Sequence, residues 1–151
     1  MRLVRWVAYA LAAVFVALQL VPYGRDHTNP PVTQDAPWTS AEARRIAVAS
    51  CYDCHSNETN WRWYSHVAPV SWLVRDDVTE GREALNFSEW DRRQDESDDL
   101  VESVTDGAMP PRSYLLMHPS ARLSGAEKER FLAALAALAG EREGDDRRGR
   151  N

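Results

Sequence analysis

The sequence predicts an all-α fold, and two observations support this prediction. Apolar residues recur at helical spacing in several segments, and no segment alternates apolar and polar residues as a half-buried strand does. Helix-capping sequences stand at residues 39–42 and 124–127, where a hydroxyl residue precedes a glutamate by three positions. With 151 residues, of which 44% are apolar, the chain has the length of one small domain.

The first 23 residues are predicted to form a membrane anchor. Arg2 and Arg5 precede an apolar run over residues 6–21, whose length is at the short end for a membrane span. The run is apolar on all faces, which argues against a helix of a soluble domain. A cleaved signal peptide is the alternative, but the run does not end in the small residues that signal peptidase requires. We therefore expect a single transmembrane helix in the cytoplasmic membrane, with the rest of the chain on the periplasmic or another extracytoplasmic side.

Residues 24–38 are predicted to be an extended linker, because they contain three prolines among polar residues. Residues 39–140 are predicted to form the folded domain. The charged residues 141–151 are expected to form a flexible tail.

Four helices are expected within this domain. The first is predicted to begin after a Thr39 cap, and the second to run from Pro69 to a stop at Gly81. The third carries apolar residues from position 100 and is predicted to stop at Gly107. The last follows the cap at residues 124–127, is closed by Gly140, and is expected to pack on the first. The charge-rich residues 91–99 are predicted to be a solvated face.

The two cysteines of the chain lie three residues apart, and a histidine follows the second directly: Cys51, Cys54 and His55. This pattern attaches a c-type haem. The two thiols can add to the two vinyl groups of the porphyrin, and the imidazole can bind the iron as its proximal ligand. Residues at i, i+3 and i+4 share one helical face, so all three can point at one macrocycle. The sequence therefore predicts one covalently bound haem c per chain.

Three other uses of the cysteines fit less well. A disulfide suits a short helical turn poorly. A zinc site needs more ligands at matching spacing, and none of the other three histidines forms a paired ligand spacing with the cysteines. A thioredoxin-like pair normally sits beside a strand–helix unit, and no strand-like run precedes this motif.

Met109 is predicted to be the second axial ligand of the iron. Methionine is a soft thioether donor and pairs with histidine in cytochromes c. Met109 lies in a loop after Gly107, and Pro110 and Pro111 stiffen the backbone directly after it. Met117, His118 and His66 remain as alternative ligands.

At this point the sequence resembles the bacterial haem-binding domain family, whose members are small membrane-anchored proteins similar to cytochrome c. The matching segments are residues 28–32, 51–57, 61–64, 68–72, 86–90, 109–111 and 118–119. The family often has proline where this chain has Arg62 and an aromatic residue where it has Arg112, but neither position is a proposed ligand. The resemblance implies a small cytochrome c-like haem domain with covalent haem, and it implies no particular substrate.

One-electron transfer is the function that these features favour, with redox proteins of unknown identity and the membrane as partners. Two alternatives stay open: a haem sensor or gas-binding module with an open sixth position, and a peroxidase-like enzyme. No distal acid–base pair is evident in the sequence, which disfavours the enzyme. The formal net charge of −5 argues against a nucleic-acid partner, because nucleic-acid binding usually needs a basic face.

Overall fold

The computed structural model describes residues 1–94 and 99–149, and the regular secondary structure of these residues is helical, as predicted. Strand-type pairing in this part of the chain is limited to an isolated bridge between Gln34 and Glu89. The α-helices are α1 Arg2–Leu18, α2 Ala41–Ser50, α3 Tyr52–His55, α4 Val70–Ala84, α5 Leu100–Thr105, α6 Arg112–Met117 and α7 Gly125–Gly149. Short 3-10 helices occupy Trp63–His66 and Pro119–Ala121. Part of the predicted solvated face, residues 95–98, and the last two residues of the predicted tail lie outside the described residues.

Helix α1 ends three residues before the end of the apolar run from which a membrane anchor was predicted. It contains 17 residues and ends at Leu18, so it rises about 25 Å, against a hydrocarbon core about 30 Å thick. The side-chain amide of Gln19 then donates to the carbonyl oxygen of Ala68 at 2.9 Å and accepts from its N–H at 3.0 Å. Of the helices in the described ranges, none combines the length and apolar character needed to cross a membrane. The predicted transmembrane helix is therefore wrong, and so is the placement of the chain as a single-pass protein of the cytoplasmic membrane.

Helix α2 leads directly into the cysteine motif. Its cap is Ser40 rather than the predicted Thr39, since the Ser40 hydroxyl accepts the N–H of Ala43 at 3.1 Å. Ala43, Ile46 and Ala47 form a buried apolar stripe along this helix. This stripe fixes the direction from which the chain enters the motif.

The core lies between α2, α5, α7 and a cluster of aromatic rings. Helix α7 packs against α2, as predicted, and also against α5. Tyr52, inside the cysteine motif, is 1% exposed and stacks on Phe87 with ring centroids 5.6 Å apart. Phe87 stacks in turn on Trp90 at 6.0 Å. One side of the motif is therefore anchored in the core.

Glycine ends only one of the three helices for which a glycine stop was predicted. Gly107 follows α5 with φ +74°, which is the left-handed conformation of a helix end. Helix α4 instead continues through Gly81 to Ala84. A β-carbon at position 81 would stand 2.7 Å from the carbonyl oxygen of Cys54, so glycine here permits close packing and does not break the helix. Helix α7 likewise continues through Gly140, because a single glycine costs only about 1 kcal/mol among good helix formers.

The segment before α2 is extended, as predicted for a linker, but it is bound to the domain. The N–H groups of Thr33 and Gln34 both donate to the carbonyl oxygen of Ser88, at 3.0 and 3.2 Å. The N–H of Ala36 donates to the carbonyl oxygen of Phe87 at 2.8 Å. We call residues 24–38 the strap, because they lie along the surface next to the cysteine motif.

Candidate haem site

Cys51, Cys54 and His55 lie on one helical turn. Cys51 ends α2 with φ −128°, and its carbonyl oxygen accepts the N–H groups of Cys54 at 3.1 Å and His55 at 2.9 Å. Both cysteines are unpaired and half-buried. The turn therefore brings two thiols and an imidazole together, as the sequence predicts.

The orientation of the His55 ring is set by helix α4. Its Nδ1 atom lies 2.9 Å from the carbonyl oxygen of Gly81 and 3.2 Å from that of Leu85. A carbonyl oxygen can only accept, so Nδ1 carries the proton and the imidazole lone pair is on Nε2. This is the arrangement of a metal-binding histidine, in which a backbone carbonyl fixes the tautomer and raises the basicity of the other nitrogen.

Burial makes both thiols weak acids. Desolvation raises the pKa of Cys51 and that of Cys54 to about 12, and the charges of Asp77 and Asp53 add to the effect at Cys54. Both sulfurs are thus protonated at neutral pH. A thiol exchanges disulfides as its thiolate, so these two sulfurs are poorly suited to disulfide exchange.

The residues after the motif are held by a buried polar network. The Ser56 hydroxyl donates to the carbonyl oxygen of Tyr52 at 2.8 Å. The N–H of Asn57 donates to the Ser88 hydroxyl at 3.0 Å, and the Asn86 amide donates to Asn57 Oδ1 at 2.9 Å. Sequence reasoning assigned no role to these side chains. Their bonds fix the chain where it leaves His55.

Met109 lies in the loop between α5 and α6, as predicted. Its N–H donates to the carbonyl oxygen of Ser103 at 3.0 Å, and its side chain is 39% exposed. Among the described hydrogen bonds, none ties Met109 itself to the motif. The segment that follows it does reach the motif, because the Tyr114 hydroxyl donates to Asp53 Oδ2 at 2.8 Å.

His118, one of the alternative ligands, is 6% exposed and engaged at both ring nitrogens. Its Nδ1 donates to the carbonyl oxygen of Tyr114 at 2.9 Å, and its Nε2 accepts from the Tyr64 hydroxyl at 2.9 Å. The Tyr114 ring stacks on the imidazole at 3.9 Å. Asp53 Oδ2 lies 3.8 Å from Nε2. This cluster of Asp53, Tyr64, Tyr114 and His118 was not anticipated from the sequence, where its members are widely separated.

The other two alternative ligands lie elsewhere. His66 packs edge-to-face on His27, with ring centroids 4.2 Å apart, and both line a cavity of about 260 Å³ beside the strap. Met117 is the last residue of α6 and is 52% exposed.

The donor set fits a covalently held haem. Two protonated, unpaired thiols and an imidazole with its lone pair on Nε2 share one turn, which matches the groups that c-type attachment uses. The described residues contain no group of three or more histidine, cysteine or acidic side chains that could hold a metal ion.

Comparison with known proteins supports haem binding. No curated protein and no solved structure matches the chain. One protein family, described as the haem-binding domain, matches residues 13–137, which include the cysteine motif, Met109 and all of helices α2 to α6. Because this match covers most of the sequence, the chain belongs to the haem-binding domain family, and its cofactor is haem.

Proposed function

We propose that this protein is a small c-type cytochrome that carries single electrons on one covalently bound haem. The observation that carries the proposal is the 2.9 Å contact between His55 Nδ1 and the Gly81 carbonyl oxygen, in the turn that also holds both thiols. The haem, when bound, supplies reversible exchange of one electron between ferric and ferrous iron.

Cys51 and Cys54 would hold the haem through thioether bonds. Each S–H would add across one vinyl group, so that sulfur would bond to one carbon and the hydrogen would go to the other, and no oxidant would be needed. His55 would bind the iron through Nε2 while Gly81 accepts the Nδ1 proton. Helix α4 therefore sets the direction in which the proximal ligand points.

Met109 would be the second protein ligand of the iron. Its thioether is the donor type that pairs with histidine in electron carriers, and Pro110 and Pro111 restrict the loop that carries it. His118 is a weaker candidate, because both of its ring nitrogens already have protein partners. An iron with two protein ligands would exchange electrons with redox partner proteins, without binding a substrate.

A second candidate function follows if Met109 does not stay on the iron. Met109 lies in the loop between α5 and α6, where its own N–H donates to the carbonyl oxygen of Ser103, and no described hydrogen bond ties it to the cysteine motif. The open sixth position would then bind a small gas molecule, and the protein would act as a sensor. The two functions differ in whether the ferrous protein binds carbon monoxide.

Absorption spectra of the purified protein, oxidised and reduced, test the electron-carrier proposal. We expect the weak far-red band of iron–methionine coordination in the oxidised protein, and no change when carbon monoxide is added to the reduced protein. A missing band together with immediate carbon monoxide binding would favour the sensor. A protein that contains no haem would contradict both functions.

A further inference from the structure

Arg82 bridges the cysteine motif and the strap. It follows Gly81 in helix α4, and its Nε donates to the carbonyl oxygen of Ser56 at 2.8 Å. Its Nη1 donates to the carbonyl oxygen of Thr28 at 3.2 Å. Its Nη2 donates to Asn29 Oδ1 at 2.9 Å and to the Thr59 hydroxyl at 2.8 Å. One guanidinium thus joins three separate parts of the chain.

All four acceptors of Arg82 are neutral. In the part of the chain that the structure describes, no carboxylate lies within 4.0 Å of this guanidinium, whereas Arg75 in the same helix pairs with Asp26 at 3.2 Å. Desolvation lowers the pKa of Arg82, while the more distant charges of Glu89 and Asp26 raise it, and an arginine remains charged at any physiological pH. The half-buried guanidinium is therefore a positive charge with no carboxylate in direct contact.

This charge is fixed relative to the proximal histidine. Gly81 accepts the proton of His55 Nδ1, and Arg82 donates to Ser56, the residue after His55. Ferric haem carries one more positive charge than ferrous haem. A nearby cation therefore destabilises the ferric state more than the ferrous state and favours reduction.

We propose that Arg82 raises the reduction potential of the haem through its positive charge, which has no carboxylate in direct contact. The inference rests on the proposed function, since it requires a redox-active haem on His55. The charge acts on the iron through space, and the hydrogen bonds keep the guanidinium beside the motif.

Redox titration of the full-length haem protein and four variants tests this assignment. Arg82→Gln should reduce the equilibrium constant for haem reduction about tenfold, the order expected of one half-buried unit charge at an effective dielectric constant of about 20. Arg82→Lys keeps the charge and loses the planar fork, so its potential should stay close to that of wild type. Arg75→Gln is the matched control. It removes a charge from the same helix that Asp26 already neutralises, and its potential should not change.

Asn29→Asp tests the charge without removing Arg82. It places a carboxylate on Nη2, which should lower the potential as Arg82→Gln does. This variant decides the matter if Arg82→Gln does not take up haem. An unchanged reduction potential in Arg82→Gln would overturn the proposal. If Arg82→Gln does not bind haem, an unchanged reduction potential in Asn29→Asp would overturn it instead. So would an equal fall in Arg82→Lys and Arg82→Gln, because that result would assign the effect to hydrogen bonding. Failure of the proposed function is a separate outcome, in which wild type itself shows no covalent haem or no reversible couple.

Discussion

Helix α4 lies so close to the second cysteine that a β-carbon on Gly81 would stand 2.7 Å from the carbonyl oxygen of Cys54. This contact also brings the Gly81 carbonyl oxygen within 2.9 Å of His55 Nδ1. One glycine therefore sets both the packing of the motif and the tautomer of the proposed proximal ligand.

Gly81→Ala should destabilise the protein. The added methyl would push α4 away from the motif, at a cost of about 1–3 kcal/mol in the free energy of unfolding, and it should lower the haem content. Denaturant unfolding measures the first effect and haem absorbance per protein the second. Gly140→Ala is the control, because no atom outside its own helix turns lies within 4 Å of a β-carbon there. The free energy of unfolding of that variant should rise by up to about 1 kcal/mol. Equal stability of the two variants would contradict the packing argument.

Met109→Ala should abolish the far-red band of the oxidised protein and lower the reduction potential, because the iron loses its thioether ligand. The reduced variant should also bind carbon monoxide readily. Met117→Ala and His118→Ala should both keep the band. Loss of the band in Met117→Ala, with Met109→Ala unchanged, would move the sixth ligand to α6.

Tyr114→Phe should cost about 1–3 kcal/mol of stability, because it leaves Asp53 Oδ2 without its 2.8 Å hydrogen bond at a half-buried site. Tyr9→Phe, at an exposed position of α1, should have almost no effect. Chemical denaturation of both variants makes the comparison. If Tyr114→Phe is as stable as wild type, the cluster around His118 does not hold α6 against the motif.

The raised thiol pKa values predict a pH dependence of the protein before haem attachment. Unfolded cysteines ionise near pH 8.5, whereas Cys51 and Cys54 in the fold ionise at about 12. Between these values the unfolded state binds fewer protons than the folded state, so stability should fall as pH rises above about 9. At pH 8, alkylation by iodoacetamide should be much slower in native buffer than in denaturant. Equal rates would contradict the raised pKa values of the two thiols.

The sequence correctly predicted features that depend on residues three or four positions apart. Ser124 and Glu127 form the predicted capping box, with the Ser124 N–H donating to Glu127 Oε2 at 3.0 Å and the Glu127 N–H donating to the Ser124 hydroxyl at 3.3 Å. The spacing of Cys51, Cys54 and His55 likewise predicted their shared turn, because three and four residues define one helical face.

Several errors concern features that depend on distant residues. Gly81 and Gly107 look alike in the sequence, but only Gly81 faces the backbone of Cys54. The apolar run continues to Val21, whereas α1 ends at Leu18. The next residue, Gln19, is hydrogen-bonded to Ala68, which lies forty-nine residues away in the sequence. The four bonds of Arg82 join positions 28, 29, 56 and 59. No local sequence pattern links positions so far apart, so these contacts could be identified only from the three-dimensional structure.

Intact-protein mass spectrometry under denaturing conditions tests the central claim most directly. The wild-type polypeptide should carry the added mass of one haem after unfolding and acid extraction, because two thioether bonds hold it at Cys51 and Cys54. Cys51→Ala combined with Cys54→Ala should carry none. Wild-type polypeptide that releases its haem on extraction and shows the mass of the bare chain would contradict covalent attachment, and with it the proposal of a c-type cytochrome.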